Sequence, residues 1–123
     1  DGYAAIQGIT IKDDLFERYR ANEDFIQKYI FPGGFLPSIS YIKKLTKKNK
    51  LKIEKINSYS EDYAKTLLTW KNNFFNAWDN ITPLGFDESF KRMWDFYLSY
   101  CEAGFRAKNI DLIQFSVSNK QSS

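Results

Sequence analysis

Apolar positions recur along this chain in two rhythms. After residue 60 they fall at Tyr63, Leu67, Trp70, Phe74, Trp78 and Ile81, the three-to-four spacing of one face of an α-helix. A second stripe of that kind runs through Phe90, Met93, Trp94, Tyr97, Leu98, Cys101 and Phe105. Ser60 is the expected N-cap of the first helix, with Glu61 and Asp62 where the helix dipole favours negative charge. Pro83 and Gly85 end that run, and Asp87 is expected to cap the second helix.

Elsewhere the rhythm is that of strands. Tyr3 to Ile11 (YAAIQGITI) is apolar and alternates poorly, as a strand buried on both faces does. Leu51, Ile53 and Ile56 are interleaved with Lys52 and Lys55, which predicts a strand with one wet face. Ile110, Leu112, Phe115 and Val117 predict a last strand before a polar tail. Between the first two strands, Asn22 is the expected cap of a short helix whose apolar side is Phe25, Ile26, Tyr29 and Ile30. Pro32-Gly33-Gly34 stops it, and Pro37-Ser38 opens another helix through Ile39, Ile42 and Leu45. The order strand, helices, strand, two long helices, strand predicts an α/β half-sheet with helices packed on it.

Composition narrows the chemistry. A chain of 123 residues supports one domain with a real core and not two ordinary ones. Its 18% aromatic content fits either helices packed on a sheet or a wall around a greasy ligand. There is no histidine, which removes Ser-His and Cys-His nucleophiles, histidine bases and histidine-based metal sites, and no metal is expected. A single cysteine, Cys101, forms no intramolecular disulfide and fits a reducing, cytoplasmic compartment. No apolar run approaches the ~20 residues that span a bilayer, and no secretory signal is visible. A first residue Asp1 running almost at once into a strand reads as a cut chain.

The net charge of +3 is unevenly spread. Lys43, Lys44, Lys47, Lys48, Lys50, Lys52 and Lys55 face only Glu54 within residues 42–55. Such a run is either a solvated face or an attraction for anionic lipid headgroups. Nucleic acid is not expected, because arginine is missing from the run and Tyr41 is the sole candidate for stacking.

Three stretches carry a family signature: residues 24–38 (DFIQKYIFPGGFLPS), residues 63–70 (YAKTLLTW), and residues 90–106, from FKRMW to YCEAGFR. Together they resemble the carboxy-terminal portion of cyclopropane fatty acid synthases, over nearly the whole chain and in the same order. The resemblance implies a class I, Rossmann-like, S-adenosylmethionine-dependent methyltransferase fold. Tyr3–Ile11 would be its fifth strand, with the Leu51 and Ile110 strands as sixth and seventh. The expected sheet order is then 5-7-6, with the last strand antiparallel. The glycine-rich turn and acidic partner that hold the methyl donor in such folds are missing. Gly33-Gly34 follows a helix and a proline and reads as a chain reversal needing positive φ. Residues 1–123 are therefore read as the carboxy-terminal fragment of one methyltransferase domain. The donor-binding half is absent, and the isolated fragment is expected to be inactive.

The implied reaction adds a methylene across a cis double bond of a phospholipid acyl chain. The alkene attacks the donor's methyl group, and a bound bicarbonate or carbonate removes a proton before the ring closes. Tyr63 corresponds to the family tyrosine that holds this anion. Gln7 and Ile9 lie where the family has a second contact, Ile9 through its backbone. Many bacterial members carry histidine at the Gln7 position and others glutamine, which donates a hydrogen bond but takes no proton. Tyr29, Phe31, Phe35 and Leu36 are candidates for an acyl-chain tunnel. Lys43, Lys44, Lys47 and Lys48 are candidates for contact with the anionic inner surface of the membrane.

Plainer readings stand beside these. Tyr63 and the tunnel aromatics also suit core packing, Gln7 a buried amide satisfied by neighbours, and Cys101 a small core residue. Glu102 and Arg106 suit a surface ion pair. At the level of function, the alternatives are a small-molecule N-methyltransferase of the same family and a non-catalytic membrane- or partner-binding module. Lipid against amine product separates the first, and the sequence preceding Asp1 the second.

Overall fold

A computed structural model describes residues 2–119. Its elements are β1 (Tyr3–Ile11), α1 (Asp13–Ala21), a π-helical turn (Ile26–Ile30), α2 (Ile39–Lys48), β2 (Lys52–Ser58), α3 (Ser60–Asn76), α4 (Trp78–Ile81), a 3-10 turn (Thr82–Leu84), α5 (Glu88–Arg106) and β3 (Ile110–Ser118). The strands form one sheet in the order β1-β3-β2, with β3 antiparallel to both neighbours. This is the expected 5-7-6 arrangement.

The last strand sits at the centre because it is apolar on both faces. Ile113, Phe115 and Val117 point to one side and pack with Ile39 and Ile42 of α2 and Ile53 and Ile56 of β2. Ile110 and Leu112 point to the other, against Ala64, Leu67, Leu98 and Phe105 of α3 and α5. A strand's period of two thus divides one segment between two cores.

The double burial expected of β1 belongs instead to β3. β1 is largely exposed, with Tyr3 at 69% and Ile6 at 44% exposure, and only Thr10 along it is fully buried. Among the described residues no strand pairs with its outer edge. β2 departs from simple alternation as well. Its register shifts between Ile53 and Lys55, so Ile53 faces Val117 and Ile56 faces Phe115. The bulge puts two isoleucines three residues apart on one face.

Two capping expectations change. Asn22 is not an N-cap; it ends α1, its side-chain amide donating to the Arg18 carbonyl at 2.8 Å. The cap of the following turn is Asp24. Its carboxylate accepts from the Gln27 N–H at 2.9 Å, while the Gln27 side-chain oxygen accepts from the Asp24 N–H at 3.0 Å, a reciprocal capping box. That turn is a π-helix rather than an α-helix, and the Phe31 N–H closes it on the Ile26 carbonyl at 2.7 Å. Ser60 lies inside the first turn of α3 and caps nothing; its hydroxyl donates to the Phe105 carbonyl at 2.6 Å, tying the start of α3 to the end of α5.

Other expectations hold. The Asp87 side chain accepts from the Phe90 N–H at 2.9 Å. Gly33 and Gly85 take the left-handed conformation, with φ of 81° and 101°, which a residue without Cβ adopts without steric cost. Helix α1 was not expected, since its short stripe of Leu15, Phe16 and Tyr19 is masked by Asp13, Asp14, Glu17, Arg18 and Arg20.

Two adjacent leucines test the division of α3. Leu67 is 1% exposed and Leu68 38%. Leu67→Ala is expected to cost ~3 kcal/mol of unfolding free energy, since it leaves a cavity between α3 and α5. Leu68→Ala is expected to cost less than ~1 kcal/mol. Urea unfolding of the two variants of the full-length protein checks the difference.

Candidate active site

Tyr63 stands one turn into α3 and is half-buried. Its ring meets Phe105 edge-on at 4.8 Å and Trp70 at 5.8 Å. It packs on the same core cluster as Ile9, Tyr97 and Cys101. Burial pushes its phenol pKa up, with the nearby Cys101 adding to the effect. The hydroxyl therefore keeps its proton, and among the described residues it makes no hydrogen bond.

Two more proton-bearing groups flank it. Burial, with smaller contributions from Cys101 and Tyr63, pushes Tyr97 up to about 12. Burial, with the field of Asp24 adding, pushes Cys101 up to about 11. Asp24 itself is engaged as the cap of the π-turn. The cluster around Tyr63 thus presents neutral donors. It can hold an anion, but it offers no base of its own near neutral pH.

β1 adds further donors. Gln7 is exposed rather than buried, and its carbonyl oxygen accepts from the side-chain amide of Gln114, its register partner, at 2.9 Å. That bond leaves the Gln7 NH2 available. Ile9, two residues on and on the same face, is half-buried against the Tyr63 cluster. The Ile11 N–H donates to the Pro37 carbonyl at 2.9 Å, away from β3, and the Lys12 N–H turns back to the Asn109 carbonyl at the start of β3. Main-chain groups alternate sides along an antiparallel strand. The N–H of Ile9 therefore points, like that of Ile11, to the open side of β1.

The tunnel candidates divide. Phe31 meets the Tyr97 ring edge-on at 6.3 Å, and from Tyr97 a line of rings continues through Trp94 at 5.0 Å, Phe90 at 5.7 Å and Phe86 at 4.5 Å. Tyr29 belongs to a neighbouring, more exposed group with Phe25, which packs on Phe96. Phe35 turns to Phe16, Tyr19 and Tyr41, and the Leu36 N–H donates to the Tyr19 hydroxyl at 2.9 Å. The structure thus gathers Tyr63, Ile9 and Phe31 around Tyr97 and leaves Phe35 and Leu36 with α1 and α2. Tyr97 and Gln114 escaped the sequence reading because the first looks like one more stripe residue and the second like the wet side of a strand.

A Cβ placed on Gly34 would lie 2.9 Å from the Phe31 carbonyl oxygen, so the space beside it is filled by the chain's own backbone. Among the described residues no group of acids and cysteine is arranged to hold a metal, and no helix is long and apolar enough to cross a membrane. Glu102 and Arg106 form the expected surface ion pair at 2.8 Å.

A model of the mycolic acid cyclopropane synthetase family matches residues 1–115. The chain belongs to this family. It is 43% identical over 117 residues, 94% of its length, to tuberculostearic acid methyltransferase UfaA1 of Mycobacterium tuberculosis. It is 38% identical over 92 residues, 75% of its length, to the cyclopropane-fatty-acyl-phospholipid synthase of Escherichia coli. It spans 27% and 24% of those two relatives, about a quarter of each. Among solved structures, the cyclopropane synthase MmaA2 of Mycobacterium tuberculosis superimposes with a TM-score of 0.83 at 24% identity, which speaks for the fold alone. The mycolic acid cyclopropane synthase CmaA1, complexed with SAH and CTAB, superimposes with a TM-score of 0.82 at 28% identity. Each match covers 95% of this chain and 44% of the other. The three-stranded sheet and its helices are thus part of the cyclopropane synthase fold.

Within this family member, Cys101 serves as a reporter of the cluster. Raising a thiol from its ordinary value of 9.0 to about 11 lowers the thiolate fraction at pH 8 roughly 100-fold. Alkylation of Cys101 in the native full-length protein is expected to be slower than in the denatured protein by at least that factor. Peptide mass spectrometry follows it site by site. The sign of the linkage is that the unfolded chain releases this proton first, so native stability declines as pH rises from 9 towards 11.

Proposed function

We propose that this chain is the carboxy-terminal part of an S-adenosylmethionine-dependent methyltransferase that adds a methylene to the cis double bond of a phospholipid acyl chain. In this reading the donor is held by a half of the same domain that lies outside the chain, and the chain alone is inactive. The open edge of β1 supports this, because a nine-residue edge carrying exposed Tyr3 and Ile6 is a liability unless another strand pairs with it. The two relatives, each more than three times as long as the chain, support it as well. The protein would work at the cytoplasmic surface of the inner membrane, reached through the exposed lysines of α2.

The observation that carries the reading is the Tyr63 hydroxyl. It is half-buried, keeps its proton and has no protein partner among the described residues, and Ile9 of β1 packs on the same core cluster. A bicarbonate or carbonate bound there would supply the base that the cluster lacks. Tyr63 would donate its O–H to that anion, joined by the Gln7 NH2 and the Ile9 N–H. Fixed donors of this kind hold an anion without reorganising during the reaction. Phe31, Tyr97 and Trp94 would exclude water and turn aromatic faces to the positive charge that develops on the acyl chain. Tyr29, Phe35 and Leu36 would border the entry to that wall.

Tyr63→Phe in the full-length protein separates this role from packing. The ring contacts with Phe105 and Trp70 remain and only the hydroxyl is lost. Turnover is expected to fall about 100-fold, the scale for losing one preorganised donor to a reacting anion, while the thermal midpoint moves little. Unchanged turnover at saturating bicarbonate and lipid would return Tyr63 to a packing role.

A further inference from the structure

On the face of the sheet opposite Tyr63, α2 and β2 enclose a groove that the reaction does not use. Its geometry comes from the turn between them. The Leu51 N–H donates to the Thr46 carbonyl at 2.8 Å and the Lys50 N–H to the Lys47 carbonyl at 3.1 Å, with Lys50 at φ 58°. These two bonds form a Schellman ending, which folds β2 back along α2. The result is a groove of about 690 Å³.

Five lysines line it, among them Lys43, Lys47 and Lys55. Leu51, Ile53 and Ile56 supply its apolar lining. The acid in the groove, Glu54, accepts from the Ser118 hydroxyl at 2.6 Å and pairs with Lys52 at 3.7 Å. Among the described residues, Lys47 and Lys55 make no ion pair. The structure therefore splits the lysines of α2. Lys43 and Lys47 face the groove, one helical turn apart, and Lys44 and Lys48 do not line it.

Compact ammonium groups suit the oxygens of a phosphate. No arginine and no aromatic ring lines the groove, so nothing there stacks on a nucleobase. Positive charge beside apolar side chains matches a ligand with an anionic head and a hydrocarbon body. We propose that the α2–β2 groove is a seat for the phosphate headgroup of an anionic phospholipid. Lys43 and Lys47 contact the phosphate, and Leu51 and Ile53 the first acyl carbons. This rests on the membrane attachment proposed above and gives it a defined place, separate from the Tyr63 cluster and across the sheet from it.

The test compares two double variants of the full-length protein, K43Q/K47Q and K44Q/K48Q. Both remove two charges from exposed positions at the same spacing on one helix, and circular dichroism checks that both are folded. Binding is read by sedimentation with vesicles of phosphatidylglycerol and phosphatidylcholine, and with phosphatidylcholine alone, at low and high salt. At low salt K43Q/K47Q is expected to weaken binding to the anionic vesicles about 25-fold, at roughly five-fold per lysine. K44Q/K48Q is expected to weaken it less than about 3-fold, and high salt to shrink both effects. Equal weakening by the two pairs would overturn the groove and leave membrane attachment standing as a diffuse attraction. A wild type that ignores anionic vesicles would overturn both. Tighter binding of a short single-stranded RNA than of anionic vesicles would overturn lipid as the occupant.

Discussion

The two-sided burial of β3 is the constraint on which the rest of this structure depends. Its odd-numbered residues Ile113, Phe115 and Val117 and its even-numbered residues Ile110 and Leu112 serve different cores. One core fixes α3 and α5 and, through them, Tyr63, Tyr97 and the line of rings. The other fixes α2 against β2 and so shapes the lysine groove. A one-residue slip of β3 would exchange its faces and dismantle both at once. The antiparallel pairing on either side, nine register pairs with β1 and six with β2, holds it against such a slip.

The same arrangement explains how the two surfaces stay apart. In the proposed reaction positive charge develops near Tyr63, where concentrated lysines would oppose it. Here the sheet lies between them. The bulge in β2 contributes, because it turns both Ile53 and Ile56 inward and leaves Lys52 and Lys55 exposed. The closing bond from Ser60 to Phe105 does comparable work on the other face, joining the ends of α3 and α5 where Tyr63 begins.

Features that depend on neighbours close in sequence were legible from it. The stripes of α3 and α5, the Asp87 cap and the left-handed Gly33 all rest on local spacing. Legibility failed where the partner is distant or missing. Ser60 resembles a cap, but its hydroxyl bonds to Phe105, 45 residues away. The apolar run of β1 resembles a strand covered on both faces, yet nothing described here covers its first half. Asn22 has the composition of an N-cap, and only the backbone reveals that it ends α1. Composition alone could not divide Lys43 and Lys47 from Lys44 and Lys48, since that division needs the helix phase and the position of β2. The strand order and the site residues came from family resemblance. The order is now seen in the sheet, while the part each site residue plays rests on the proposal drawn from the geometry.

The absence of histidine gives the candidate site its character. A side chain that titrates near neutrality would let the cluster act as its own base, with activity following that group's protonation. Here the groups nearest Tyr63 are shifted the other way: burial raises Tyr63, Tyr97 and Cys101, and each stays neutral. Raising a phenol or a thiol removes a nucleophile and keeps a donor. The Gln7–Gln114 pair behaves in the same sense, since amides donate and accept without titrating. Neutral donors of this kind suit an anion that fits them, with the carboxylate of Asp24, felt at Cys101, as the negative charge nearby. In the proposed reaction the base is therefore the bound anion, and the side chains around Tyr63 act by holding it in place.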